Sequence, residues 1–171
     1  MSLTNSYGGG KVTKQKFHTT QAIRTLKKHG VDFHLHPYKY EEKGGTTVAA
    51  RELQIDEHLA IKTLVMEDEK GDPFLVLMHG DKNVSTKALA RVLGVKTITP
   101  CDPHVAHKHT GYVVGGTSPF GTRNPLKVYT EASIMDLPKI YINAGKRGLL
   151  AEISPRDLKR ILNPTPVSMA I

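Results

Sequence analysis

A single lysine, Lys62, interrupts the apolar run LAIKTLVM that spans residues 59–66. Side chains alternate between the faces of a strand, so Lys62 is expected to share one with Leu64 and Met66. An ammonium held there loses hydration, its pKa falls, and it pairs with an anion or enters chemistry. The other course for such a lysine is to reach water along its apolar stem. Further on, GYVVGGTSPFGTR (Gly111 to Arg123) gathers four glycines, a proline and several hydroxyl residues. Its core GGTSPFG can offer a concave row of backbone N–H donors beside the hydroxyls of Thr117 and Ser118, suited to a carbonyl oxygen, a carboxylate or a phosphate. Glycine and proline equally permit a plain turn. A second glycine stretch, NAGKRG from Asn143 to Gly148, follows a strand-like run and carries the cations Lys146 and Arg147. It can complete the same pocket or meet phosphates.

Other chemistry-bearing residues carry less. His104, His107 and His109 could place two ligands on one helical face, but no carboxylate motif accompanies them, so neither a metal nor another cofactor is expected. Cys101 is the only cysteine, which excludes an internal disulfide and a cysteine-based zinc site, and with no base nearby in sequence it reads as a packed thiol. His34 and His36 share a strand face, where a surface role is the simpler account. Neither a G-x-G-x-x-G nor a G-x-x-x-x-G-K-[ST] occurs, so the glycines are not a nucleotide fingerprint of those kinds.

These residues need elements to hold them. TTQAIRTLKKHG reads as a helix capped by Thr19 or Thr20 and stopped at Gly30. VDFHLHPY alternates as a strand, and TTVAARELQ is a short helix behind Gly44-Gly45. AIKTLVME and PFLVLMHG are strands joined through DEKGD in a hairpin-like connection. Ser85 caps a helix that ends at Gly94, VKTITP suggests another strand, and Asp102-Pro103 opens a further helix. YVVGG, LKVYTE, KIYIN and LLAEI read as strands, and Ser154-Pro155 starts a last helix that Asn163-Pro164 stops. About seven or eight strands thus alternate irregularly with four or five helices. That order argues for an α/β fold with a mixed, partly barrel-like sheet surrounded by short helices, and against a doubly wound sheet.

The chain of 171 residues suits one domain, with residues 1–15 as a disordered lead and 16–171 as the folded unit. No apolar run reaches the roughly 20 residues of a membrane span, and the N-terminus lacks an apolar signal core, so a cytoplasmic protein without a membrane partner is expected. The 24 Lys and Arg against 16 Asp and Glu give a net charge of +8. Lys11, Lys14, Lys16, Arg24, Lys27 and Lys28 form a stretch without an acid. Such a surplus suits a polyanionic partner, because basic side chains release counterions condensed on phosphates; ordinary surface solvation is the alternative.

Taken together, IKTLVM, GYVVGGTSPFG, IYINAGKRG and the tail containing Pro164 resemble the YbaK/EbsC family of aminoacyl-tRNA deacylases, relatives of the editing domain inserted in bacterial prolyl-tRNA synthetases. The resemblance runs from about Thr20 to about Pro166. It implies a free-standing hydrolase of mischarged aminoacyl-tRNA, with Lys62 the residue most needed for activity and Gly115 and Gly116 near the scissile carbonyl. Tyr38, Thr63, Thr117, Ser118, Pro119, Gly121, Asn143 and Gly145 are the implied substrate-binding residues. Lys27, Lys28, Lys146 and Arg147 are the candidate tRNA contacts, with aminoacyl-tRNA as partner, an aminoacyl-tRNA synthetase as a second candidate partner, and no DNA.

The chain departs from the family pattern at the stretch from Glu42 to Thr46, where an aromatic residue is missing, and at Asn143 and Leu150, which replace a serine and an aspartate. These changes leave open whether cysteine, alanine, serine or threonine is removed. A different class of reading, a non-catalytic tRNA-binding or synthetase-associated protein of the same fold, is disfavoured by the retention of Lys62 and the glycine loop.

Overall fold

A computed structural model describes residues 18–171. The expected lead at 1–15 lies outside the described residues. Five α-helices and eight strands follow in the order α1 (Gln21–Lys28), β1 (His34–Pro37), α2 (Gly45–Leu53), β2 (Ala60–Asp68), β3 (Pro73–His79), α3 (Thr86–Leu93), β4 (Ile98–Pro100), α4 (Pro103–Thr110), β5 (Val128–Glu131), β6 (Ile140–Lys146), β7 (Leu149–Ile153), α5 (Pro155–Leu162) and β8 (Thr165–Val167). Short 3-10 helices at Glu57–Leu59 and Ala132–Asp136 precede β2 and follow β5.

Helix ends fall where cap chemistry puts them. The hydroxyls of Thr20, Ser85 and Ser154 and the carboxylate of Asp102 accept the first free N–H groups of α1, α3, α5 and α4. Pro103 and Pro155 occupy the first turns, where no N–H is needed. Gly94, Gly111 and Asn163 close α3, α4 and α5 in the left-handed conformation.

The strands form one mixed sheet in the order β1-β7-β6-β2-β3-β5-β8, with β4 paired to the far end of β2. β2 runs antiparallel to β3 and parallel to β6, and β5 adds parallel to β3. β1 and β8 remain as its two edges, so the sheet is open, not closed into the barrel-like form expected from sequence. Both faces are covered. On one, Ile61, Leu75, Leu77, Ile140 and Ile142 meet Ile23 and Leu26 of α1 and Leu158 of α5. On the other, Met66, Val76 and Met78 pack under Leu89 and Ala90 of α3, while Tyr141 and Leu150 pack under Ala49 of α2.

Two segments differ from the sequence reading. Tyr112–Gly116 is not a strand: Gly111 and Gly115 take positive φ of 79° and 85°, and the Tyr112 hydroxyl donates to Phe120 O at 2.6 Å within its own loop. Glycines at both ends break the extended run that Tyr-Val-Val suggests. Conversely, Thr165–Val167 pairs with β5 as an edge strand, a place where Pro166 costs no internal ladder bond.

Candidate active site

Lys62 and Asn143 both stand where β2 and β6 part. The parallel pairing ends at Ile61 opposite Ile142, and each strand's next residue turns to the same face of the sheet. Beyond Asn143, β6 bulges before its pairing with β7 resumes at Lys146. The Asn143 side chain holds that bulge. Its Oδ1 accepts from Gly145 N (2.7 Å) and Lys146 N (3.1 Å), and its Nδ2 donates to Lys146 O and Gly115 O, both at 3.2 Å. One side chain therefore staples the two glycine stretches together. A second staple lies beside it, where Arg147 Nε donates to Val114 O at 2.8 Å.

Much of the bareness of the glycine loop is explained by the protein itself. A Cβ on Gly116 would lie 2.9 Å from Arg147 N, and one on Gly121 would lie 2.7 Å from Gln21 O of α1. Gly115 abuts the Tyr40 hydroxyl, while Gly145 faces Tyr112 and Thr20. The loop is thus wedged between α1 and the β6–β7 turn. Ser118 is fully buried and its Oγ accepts from Phe120 N at 3.2 Å, so this hydroxyl shapes the turn. Gly116 N–H is committed to Val113 O at 2.9 Å. Thr117 Oγ1 donates to Val113 O at 3.3 Å, and Pro119 is buried.

The Lys62 ammonium donates to the carbonyl of Lys82, in the turn after β3. Burial pushes its pKa down, and the nearby carboxylates of Glu57 and Asp81 partly oppose that. Both carboxylates are tethered: Glu57 Oε1 accepts from Thr46 (2.9 Å) and Thr47 (3.0 Å), and Asp81 Oδ1 meets His58 Nδ1 at 2.8 Å. Thr63, next in the strand, turns to the opposite face beside Leu77, and its hydroxyl is buried without a hydrogen-bond partner among the described residues. Tyr38 packs with Tyr141 and Leu150, and burial raises its phenol pKa. Leu150 is buried in that apolar cluster opposite Asn143 on β7.

Of the candidate tRNA contacts, Lys146 at the end of β6 and Arg147 in the β6–β7 turn lie exposed at the loop, whereas Lys27 and Lys28 lie in the last turn of α1. The first turn of α1 reaches the bulge through Thr20, whose hydroxyl donates to Ala144 O. Two histidines of α4 and Cys101 are occupied within the fold. His107 and His109 are tied to separate partners, Tyr112 O and Asn124, and no group of three or more metal-ligating side chains is present among the described residues. The Cys101 thiol is pushed up to about 12 by burial and by Glu67, which makes it a poor nucleophile.

Two features escaped the sequence. Tyr40 borders Gly115 and carries the Arg147 guanidinium over its ring at 5.2 Å; its period-two spacing from Tyr38 in HPYKY was the available signal. The rings of His58 and His79 stack at 3.8 Å, and His79 Nδ1 donates to His58 O while its Nε2 accepts from Ser133 Oγ at 2.7 Å. This string braces Asp81, one of the carboxylates facing Lys62.

The comparisons bear on the same residues. A Brachyspira hyodysenteriae proline–tRNA ligase is 26% identical over 86 residues, half of this chain but 15% of the ligase. An Enterococcus faecalis protein, EbsC, assigned as a Cys-tRNA(Pro)/Cys-tRNA(Cys) deacylase, is 28% identical over 154 residues, covering 90% of this chain and 92% of that one. The crystal structure of a protein described as a trans-editing enzyme for prolyl-tRNA synthetase superposes with a TM-score of 0.77 at 20% identity, over 88% of this chain and 95% of the other. The model of the aminoacyl-tRNA editing domain matches residues 41–161, a span that holds Lys62, the glycine loop and the β6 bulge. With strands β2 to β7 of the sheet, the lysine at its parting and the two stapled loops all inside that match, the chain belongs to the aminoacyl-tRNA editing domain family.

Proposed function

We propose that this chain is a deacylase that hydrolyses the ester of a mischarged aminoacyl-tRNA, removing a small amino acid such as cysteine, alanine, serine or threonine. The observation that carries this reading is the parting of β2 and β6, where a desolvated lysine and a glycine loop clamped by Asn143 emerge together. Ester hydrolysis needs a water placed against the carbonyl carbon and fixed donors for the oxygen that becomes negative. In this reading the aminoacyl ester lies along the loop at Gly115 and Gly116, and backbone N–H groups not spent on the loop's own turns receive the oxyanion. The tetrahedral intermediate then collapses, the C–O bond to the terminal ribose breaks, and the ribose oxygen takes up a proton.

Lys62 exchanges its bond to the Lys82 carbonyl for an oxygen of the terminal nucleotide. Its desolvation favours that exchange, since an anion restores what burial removed. It acts as an anchor, and the water's proton can pass to the substrate's own groups. Asn143 holds the two loops in register, and Lys146 and Arg147 meet backbone phosphates at the rim.

The experiment is amino acid release from a panel of tRNAs charged with cysteine, alanine, serine or threonine, with the prolyl-tRNA acceptor as the first carrier. Release above the spontaneous rate from at least one member is expected. Binding of the tRNAs with no release from any would favour a non-catalytic editing-domain protein instead.

A further inference from the structure

We infer that the hollow beside the glycine loop receives an unstacked, amino-bearing nucleobase from the single-stranded 3′ end of the tRNA, next to the nucleotide that carries the ester. This rests on the deacylase reading and extends it to a base-binding subsite. The hollow measures about 310 Å3 and is bounded by Pro103, His104 and His107 of α4, by Val113 and Val114, and by Arg147. That volume falls at the small end of ligand sites, roughly 300 Å3 upward, and suits one base.

Its walls have the chemistry of such a ligand. Val113 and Val114 are 49% and 56% exposed, two of the few large apolar side chains left in water. They stand immediately before Gly115, so a chain laid along the glycine loop must pass them. Arg147 is fixed at the rim by its Nε bond to Val114 O and its position over the Tyr40 ring, which leaves a preset planar cation beside an apolar floor. A base offers an apolar face to the valines and a neighbouring phosphate to the guanidinium, the pairing that single-strand sites use. His107 supplies direction. Its Nδ1 lies 3.1 Å from Tyr112 O and must donate to that carbonyl, so in the neutral ring Nε2 is an acceptor. An acceptor favours the exocyclic amine of cytosine or adenine, and uracil sets a carbonyl oxygen against it where cytosine has that amine.

The test uses uncharged RNA, so it does not depend on hydrolysis. A stem-loop ending in an unpaired 3′ CCA is titrated by fluorescence anisotropy, alongside versions in which the penultimate nucleotide is uridine or abasic. Wild-type protein is expected to lose about tenfold in affinity for the abasic RNA. The double variant Val113→Ser/Val114→Ser should bind the intact RNA about tenfold more weakly yet bind the abasic RNA as the wild type does. His107→Ala should remove the preference for cytidine over uridine. Equal losses on intact and abasic RNA, or no wild-type difference between the two, would overturn the subsite. If those differences persist while no charged tRNA is hydrolysed, the subsite stands and the deacylase reading falls.

Discussion

Replacing Asn143 with alanine should unseat both glycine stretches at once. The side chain makes four hydrogen bonds, two accepted from Gly145 N and Lys146 N and two donated to Lys146 O and Gly115 O. A protein hydrogen bond contributes about 1 kcal/mol net, and the two long ones at 3.2 Å beside solvent contribute less. The backbone groups released are near water and can rehydrate, so the sum is about 2 kcal/mol. For a chain of this size that corresponds to a fall in Tm of roughly 4–8 °C. Turnover should fall further than stability explains, because the loop also loses its tie to β6 and the donors lose their aim. Serine keeps one acceptor and should lie between the two proteins. The measurements are a thermal melt and initial deacylation rates at 25 °C, where every variant is folded. A Tm within 1 °C of wild type would show that the four bonds do not carry the junction, and an unchanged rate would show that the junction does not position the site.

Three further outcomes follow from the same geometry. Gly121→Ala should cost about 1–3 kcal/mol in denaturant unfolding, since φ is +66° and the new methyl would lie 2.7 Å from Gln21 O; a neutral result would mean α1 does not press on the loop. Cys101, with its thiol pushed up to about 12, should react with a disulfide reagent at pH 8 about a hundredfold more slowly in native than in denatured protein, and equal rates would show that the thiol is not buried against Glu67. Removing Lys146 or Arg147 should flatten the slope of log affinity for tRNA against log salt by roughly one unit each, whereas an unchanged slope would mark these cations as solvated bystanders.

How far the sequence carried depended on the range of the interaction. Thr20, Ser85, Asp102 and Ser154 were readable as caps because capping is decided within three residues. The alternation that put Lys62 on one face with Leu64 and Met66 also survived, because the pleat has period two wherever a strand forms. Long-range features did not show. Tyr112-Val113-Val114 had the composition of a strand but is held as a loop by the Tyr112 bond to Phe120 and by the press of α1 on Gly121. The glycines looked like open space for a ligand, yet Gly116 and Gly121 are bare chiefly because Arg147 and α1 come close. That Asn143 would clasp Gly115, 28 residues away in sequence, had no local signature at all. Nor did the meeting of Ser133, His79, His58 and Asp81, which depends on three turns arriving at one end of the sheet. The openness of the sheet likewise depends on where β1 and β8 fall as edges, and strand patterns alone do not fix strand order.

The most direct measurement is the rate at which Lys62→Ala, checked by its melt to be folded, releases the amino acid from whichever charged tRNA the wild type hydrolyses best. Lys62 has no carboxylate within salt-bridge distance among the described residues and makes one hydrogen bond, to Lys82 O, so its loss should leave the fold standing. With the proposed anchor for the terminal nucleotide gone, the rate should drop by about two to three orders of magnitude, the range for losing one electrostatic contact to a transition state. Lys62→Arg should recover little, since a planar fork does not replace a compact ammonium in a half-buried position. A folded Lys62→Ala protein that turns over at the wild-type rate would contradict the assignment of this parting in the sheet as the site of hydrolysis.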